Sequence, residues 1–115
     1  MDSNCVFCQI IDGKSPSKTV FEDDQVVAFL DINPAAPVHI LIVPKDHIPS
    51  INHLADHQEE LIGHLFTIAK QLAKENGIAD SGYRLIINSG PDAGQAVYHI
   101  HLHLLGGGQM RYPMG

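Results

Sequence analysis

The chain has 115 residues, 13 acidic against 7 basic side chains, a formal charge of −6 with histidine neutral, two cysteines, no tryptophan and eight histidines. That length suits one domain spanning residues 1–115, since domains usually run to roughly 100–150 residues, and 44% hydrophobic with 17% charged residues excludes disordered and fibrous classes. The acidic balance excludes a sequence-independent grip on nucleic acid, which needs a basic patch; the lack of a run near the roughly 20 apolar residues of a membrane span, and a start at Met1-Asp2-Ser3-Asn4 without the pattern of a leader, predict a cytoplasmic protein.

Residues 5–11 form a short apolar segment, read as a short N-terminal helix and ended by Gly13, Ser15 and Pro16. Thr19-Val20-Phe21-Glu22, a turn at Asp23-Asp24 and the run from Gln25 through Leu30 predict a β-hairpin. Asn33-Pro34 and Ala36-Pro37 make the next connection, and His39-Ile40-Leu41-Ile42-Val43 is a third strand closed by Pro44. A long helix is expected from near Asp56, with Glu59 three residues later as a capping box. Leu61, Ile62, Leu65, Ile68, Ala69, Leu72 and Ala73 recur at helical spacing, and Gly77 follows as a C-terminal cap. Residues 84–88 and 98–105 read as two more strands, joined by the loop of residues 89–97. Five strands to one principal helix, without regular βαβ alternation, predict an α+β fold with a mostly antiparallel sheet.

In Tyr98-His99-Ile100-His101-Leu102-His103-Leu104-Leu105 polar and apolar residues alternate. A strand with this period puts His99, His101 and His103 on one face and Ile100, Leu102 and Leu104 on the other, buried one. Three readings stay open: a solvated histidine face, a metal site, and nucleophilic catalysis at phosphorus. Geometry restricts the second. Residues four apart on a strand lie about 13 Å apart, so His99 and His103 cannot share one ion with metal–nitrogen bonds of about 2.0–2.1 Å. The third uses a neutral imidazole as nucleophile, splitting one hard displacement into two easier ones, with nearby donors holding the phosphoryl oxygens. The preceding loop suits that task, because Gly94 allows close backbone approach and Gln95, Ala96 and Val97 can aim N–H groups at an anion.

The run from His99 to Leu105 resembles the signature of the histidine triad (HIT) nucleotide-binding proteins. Similarity extends through Phe29-Leu30-Asp31-Ile32, residues 37–45, residues 88–95 and the tail at 106–115. The tail, with Gln109-Met110-Arg111-Tyr112-Pro113 after Gly106-Gly107, is similar to the Hint branch, which hydrolyses purine nucleoside phosphoramidates and aminoacyl-adenylate-like compounds. The resemblance implies a HIT-like fold whose five-stranded sheet continues across a homodimer, with Tyr112 near the partner's site. It implies that His101 attacks the α-phosphorus and is transiently nucleotidylated. His103 would hold a phosphate oxygen or the bridging atom, and His39 and His99 would fix the imidazole network. Asp31 would accept from the ribose hydroxyls, its plainer role being that of a turn residue before Asn33-Pro34. Phe7, Ile10, Phe29 and Ile32 would line the purine slot, where ordinary core packing is the plainer account. Asn88 and the backbone of Gly94, Gln95, Ala96 and Val97 would contact the phosphate or leaving group. Ala96 stands where many Hint members have serine, so a hydroxyl that could help the leaving amine is missing, and a water or His103 would have to substitute.

Cys5 and Cys8 have the spacing of half a tetrahedral zinc site. Relatives complete such a pair with the histidine of a Pro-Lys-x-His stretch, here His47, and the first triad histidine, here His99; the alternative is a pair of packed thiols. His53, His57 and His64 lie around the helix and read as packing or surface residues. No cofactor is expected in catalysis. The function expected is hydrolysis of purine nucleoside 5′-phosphoramidates with AMP as product. The rivals are a dinucleoside polyphosphate hydrolase or nucleotidyltransferase of the same superfamily, a nucleotide-binding interaction module, and a metal-dependent hydrolase built on the His-x-His pair.

Overall fold

The apolar stripe of the long helix needs a flat apolar surface to cover, and a computed structural model, which describes residues 4–113, supplies it as a sheet. The chain runs α1 (Val6–Ile11), β1 (Thr19–Glu22), β2 (Val26–Leu30), β3 (Val38–Pro44), α2 (Glu59–Glu75), β4 (Tyr83–Ile86) and β5 (Leu102–Gly106), with 3-10 turns at Ile51–His53, Asp56–Gln58 and Pro91–Ala93. All strand pairs are antiparallel, in the order β1-β2-β3-β5-β4. This is the α+β architecture expected from the pattern. Residues 1–3, whose composition bore on the leader, and the last two residues of the tail lie outside the described residues.

Strand alternation divides the sheet into two working faces. Val26, Ala28, Ile40, Ile42, Leu102 and Leu104 pack against Leu65, Ile68, Ala69 and Leu72 of α2 in the larger core. Val27, Phe29, Leu41 and Val43 point the other way and pack with Cys5, Phe7 and Cys8 at α1. His39 and His103 share this second face, because His39 pairs with Leu105 and Leu41 with His103 across β3 and β5. The histidines are therefore carried on the side of the sheet that α2 leaves uncovered.

Two predicted boundaries are corrected. The strand expected at residues 98–105 begins only at Leu102. Continuing its register past Ile42↔Leu102 would place Ile100 opposite Pro44, which has no N–H to give; Ile100 instead donates its N–H to the Ile48 carbonyl at 2.7 Å. The expected capping box at Asp56 is also absent. Residues Asp56–Gln58 form a 3-10 turn, α2 starts at Glu59, and the Gln58 Oε1 accepts the Ala55 N–H at 2.8 Å. The C-terminal cap is where the pattern put it. Gly77 has φ +70°, and its N–H and that of Ile78 donate to the Lys74 and Ala73 carbonyls, the double bond of a Schellman motif. Leu65 is fully buried in the larger core. Leu65→Ala is expected to cost about 2–5 kcal/mol of stability, read by denaturant unfolding; a loss below about 1 kcal/mol would mean that α2 does not seal this face.

Candidate functional site

Hydrogen bonds to the main chain assign the protons on the triad. The His99 carbonyl accepts from His101 Nδ1 at 2.7 Å. A neutral imidazole carries one proton, so His101 Nε2 keeps a bare lone pair. The Ala35 N–H donates to His39 Nδ1 at 3.0 Å, so His39 holds its proton on Nε2 and gives it to His103 Nδ1, 2.9 Å away. His103 in turn carries its own proton on Nε2. The rings of His101 and His103 lie 4.9 Å apart. One offers a nucleophilic nitrogen and the other an N–H donor, side by side.

His99 faces away from this pair. Its Nε2–H donates to the Pro44 carbonyl at 2.7 Å, which leaves Nδ1 bare and turned toward Cys5 Sγ at 3.4 Å and Cys8 Sγ at 3.5 Å. His47 Nδ1 lies 3.2 Å from both Cys8 Sγ and His99 Nδ1. Tetrahedral zinc bonds of about 2.0–2.3 Å imply ligand–ligand edges of roughly 3.3–3.8 Å. The separations of 3.2–3.5 Å sit at the short end of that range and all four donor atoms lie within 4.8 Å of one another, and His99 already has the tautomer a metal requires. A second cluster, Asp31, His39 and His103, has comparable spacing but does not fit a cation, because the Ala35 N–H occupies His39 Nδ1 and keeps the proton on the nitrogen that would have to bind. The conclusion that His99 and His103 cannot share an ion agrees with their separation into these two clusters.

Asp31 is a turn residue that also lies beside the histidine cluster. Its Oδ1 accepts the Asn33 N–H at 2.8 Å, and its Oδ2 lies 3.4 Å from His39 Nε2. Phe7 and Phe29 are buried edge to face at 5.4 Å, and Phe7 meets His101 in the same way at 5.0 Å. Ile10 is half-buried beside them, whereas Ile32 is 90% exposed. The loop before the histidines is anchored by Gln95, whose buried amide donates to the Pro49 and Val97 carbonyls and accepts from the Gly90 N–H. In the turn at Pro91–Ala93 the Gly94 and Gln95 N–H groups donate to the Pro91 and Gly90 carbonyls. Ala96 is exposed, Val97 half-buried and Asn88 half-buried. His53 bonds Ser50 and His64 bonds Asp23, and His57 is exposed. Sequence reasoning missed the carbonyl of Pro44 and the N–H of Ala35, because backbone groups leave no trace in residue identity.

Desolvation explains why these rings are neutral. Burial pushes His99 and His103 down to about 4. It also lowers His39, against the opposing charge of Asp31, and His101, against the His99 carbonyl and Asp31.

The signature of the HIT domain family matches residues 12–110. A 14 kDa zinc-binding protein of Zea mays is 49% identical over 99% of this chain and 90% of its own length. A purine nucleoside phosphoramidase of Escherichia coli K12 is 48% identical over 93% of this chain and 90% of its own. The crystal structure of a HIT family hydrolase from Legionella pneumophila superposes with TM-score 0.94 at 51% identity, covering 97% of this chain and all of that one. The chain belongs to the HIT domain family.

The buried rings also set an acid limit on stability. Between the ordinary 6.5 and about 4, an unfolded chain binds a proton at His103 that the native protein refuses, so stability is full above 6.5 and is lost as pH falls through that window. The melting temperature is expected to drop by roughly 5–10 °C between about pH 7 and pH 5, with a smaller drop in His103→Gln. A flat or rising melting temperature over that range would contradict the neutral network.

Proposed function

We propose that this protein hydrolyses the P–N bond of purine nucleoside 5′-phosphoramidates through a nucleotidyl intermediate on His101. The observation that carries this is the 2.7 Å bond from His101 Nδ1–H to the His99 carbonyl, which leaves Nε2 as a neutral nucleophile. In the first step that lone pair attacks the α-phosphorus, a bond to Nε2 forms, the P–N bond breaks, and the amine departs with a proton taken from a water, which becomes hydroxide, since Ala96 provides no hydroxyl. In the second step that hydroxide attacks the same phosphorus, the P–Nε2 bond breaks with its electron pair returning to His101, and AMP is released. His103 Nε2–H holds a phosphoryl oxygen as its charge grows, with the Ala96 and Val97 N–H groups and the Asn88 amide beside it. Asp31 takes the ribose hydroxyls, and Ile32 and Ile10 cover the purine above the floor of Phe7 and Phe29.

Cys5, Cys8, His47 and His99 would hold a structural zinc ion. Bound there, zinc would supply crosslinking of α1 to the segment before β5, with no part in the chemistry. The same reading includes a homodimer in a cytoplasmic setting, where the cysteines stay reduced.

Purified protein incubated with adenosine 5′-phosphoramidate is expected to release AMP with or without chelator, and His101→Asn to lose at least about 10³-fold in rate. Equal release by the two proteins would remove His101 as nucleophile. Metal analysis is expected to find close to one zinc per chain, absent from Cys8→Ala, with chelation lowering the melting temperature. Metal content indifferent to Cys8→Ala would dismiss the zinc assignment.

A further inference from the structure

Phe7 lies between the chain's two cysteines in sequence, and its ring packs on His101 with centroids 5.0 Å apart. A change at the cysteines therefore reaches the ring of His101 through a single residue. The two thiols are not equally placed. Cys5 forms part of the wall of a recess of about 370 Å³, which it shares with His47, Ala96, Val97 and Tyr98. Cys8, three residues on, is fully buried and does not reach that wall.

The sulfurs of Cys5 and Cys8 lie within 4.8 Å of each other, and the Cys8 N–H donates to Cys5 Sγ at 3.3 Å. Side-chain rotation can close that gap to the roughly 2.05 Å of a disulfide. Thiolates are at once the ligands of zinc and the nucleophiles of cysteine chemistry. The residues suited to holding zinc are thus also open to an electrophilic oxidant, provided it is small enough to enter the recess.

We propose that Cys5 and Cys8 are a hydroperoxide-reactive pair, in which Cys5, on the wall of the recess, attacks first and Cys8, behind it, closes the disulfide. The inference rests on the zinc set and the hydrolysis proposed above, and it adds oxidation as a control on both. The Cys5 thiolate attacks one oxygen of hydrogen peroxide, the O–O bond breaks, and hydroxide leaves with the bonding pair, which gives a sulfenic acid. The Cys8 thiolate then attacks the Cys5 sulfur, the S–O bond breaks, and a second hydroxide leaves. Two thiolates lose two electrons, and one peroxide gains them.

Oxidation takes away two of the four donors, and a pair of imidazoles is too few for a tetrahedral zinc site. The effect on hydrolysis follows from the contacts around His99. Its carbonyl orients His101, and without the metal its ring is no longer tied to α1. Phe7 loses its fixed seat against His101, and Val97, packed on the same cluster as Cys5, is loosened on the loop that carries the Ala96 and Val97 N–H groups.

The test exposes zinc-loaded wild type to hydrogen peroxide and follows zinc release to a chromogenic chelator, free thiols, peptide mass and hydrolysis of adenosine 5′-phosphoramidate. Zinc is expected to leave as the two thiols disappear, with the peptide that carries both cysteines lighter by two hydrogens. The same treatment is expected to lower kcat by about tenfold or more, as misplaced catalytic groups do, and dithiothreitol with added zinc to restore it. Dimedone, a trap for sulfenic acid, is expected to label Cys5 and not Cys8. Protein that keeps its zinc and both thiols overturns the pair and leaves the zinc assignment standing. Label on Cys8 overturns the order of attack, and loss of zinc with kcat unchanged overturns the control of hydrolysis. Protein isolated without zinc removes the metal reading and this control together. Failure of the untreated protein to cleave the phosphoramidate removes the hydrolase reading, while the thiol and zinc readouts still decide the pair.

Discussion

His99 is fully buried, and three of its polar groups set three different parts of the molecule. Its Nε2–H is tied to the Pro44 carbonyl, and that bond decides which nitrogen is left for the cysteines. Its Nδ1 lone pair enters the cluster of Cys5, Cys8 and His47. Its backbone carbonyl takes the proton of His101 Nδ1, which leaves the other nitrogen of His101 bare. A different tautomer at His99 would set an N–H against the cluster, and a shifted carbonyl would release the proton that orients His101. The orientation of His101 and the geometry of the N-terminal cluster thus depend on one buried ring.

Phe7 joins these parts from the α1 side. It lies between the cysteines in sequence and packs on His99, His101 and Phe29 in space. Anchoring α1 through Cys5 and Cys8 therefore also seats the aromatic wall behind His101. Low dielectric does the rest. Burial among Phe7, Phe29 and Leu41 keeps the imidazoles neutral, and a neutral imidazole carries one bare lone pair and one N–H. The acidic surface takes no part in this balance. Arg84 and Arg111, the chain's two arginines, line one groove beside His103.

Much of this was legible in residue order. Alternation from His99 to Leu105 separated three imidazoles from three apolar side chains, and tertiary contacts keep that separation even though the strand itself begins only at Leu102. The helical stripe from Leu61 to Ala73 and the cap at Gly77 were legible because helical period and glycine chemistry are local. The spacing rule that kept His99 and His103 from one ion was legible too, because strand rise is a property of the backbone. The pairing of Cys5 and Cys8 with His47 and His99 came only from family likeness, as no local rule joins residues 94 positions apart.

Sequence by itself determined the amphipathic pattern of the sheet and helix, the row of histidines and the absence of a basic surface, since each follows from side-chain identity and backbone period. Tertiary structure alone decided the proton positions. The Ala35 N–H, the Pro44 carbonyl and the His99 carbonyl are chemically the same as every other backbone group, and they acquire meaning only when folding brings them against particular ring nitrogens. It likewise decided that the Gly94 and Gln95 N–H groups bond to carbonyls of their own loop, and that Arg84 and Arg111, 27 positions apart in the chain, open onto the same groove. The physical reason is common to all of these. A residue's type limits what it can donate or accept, and long-range packing chooses the partner.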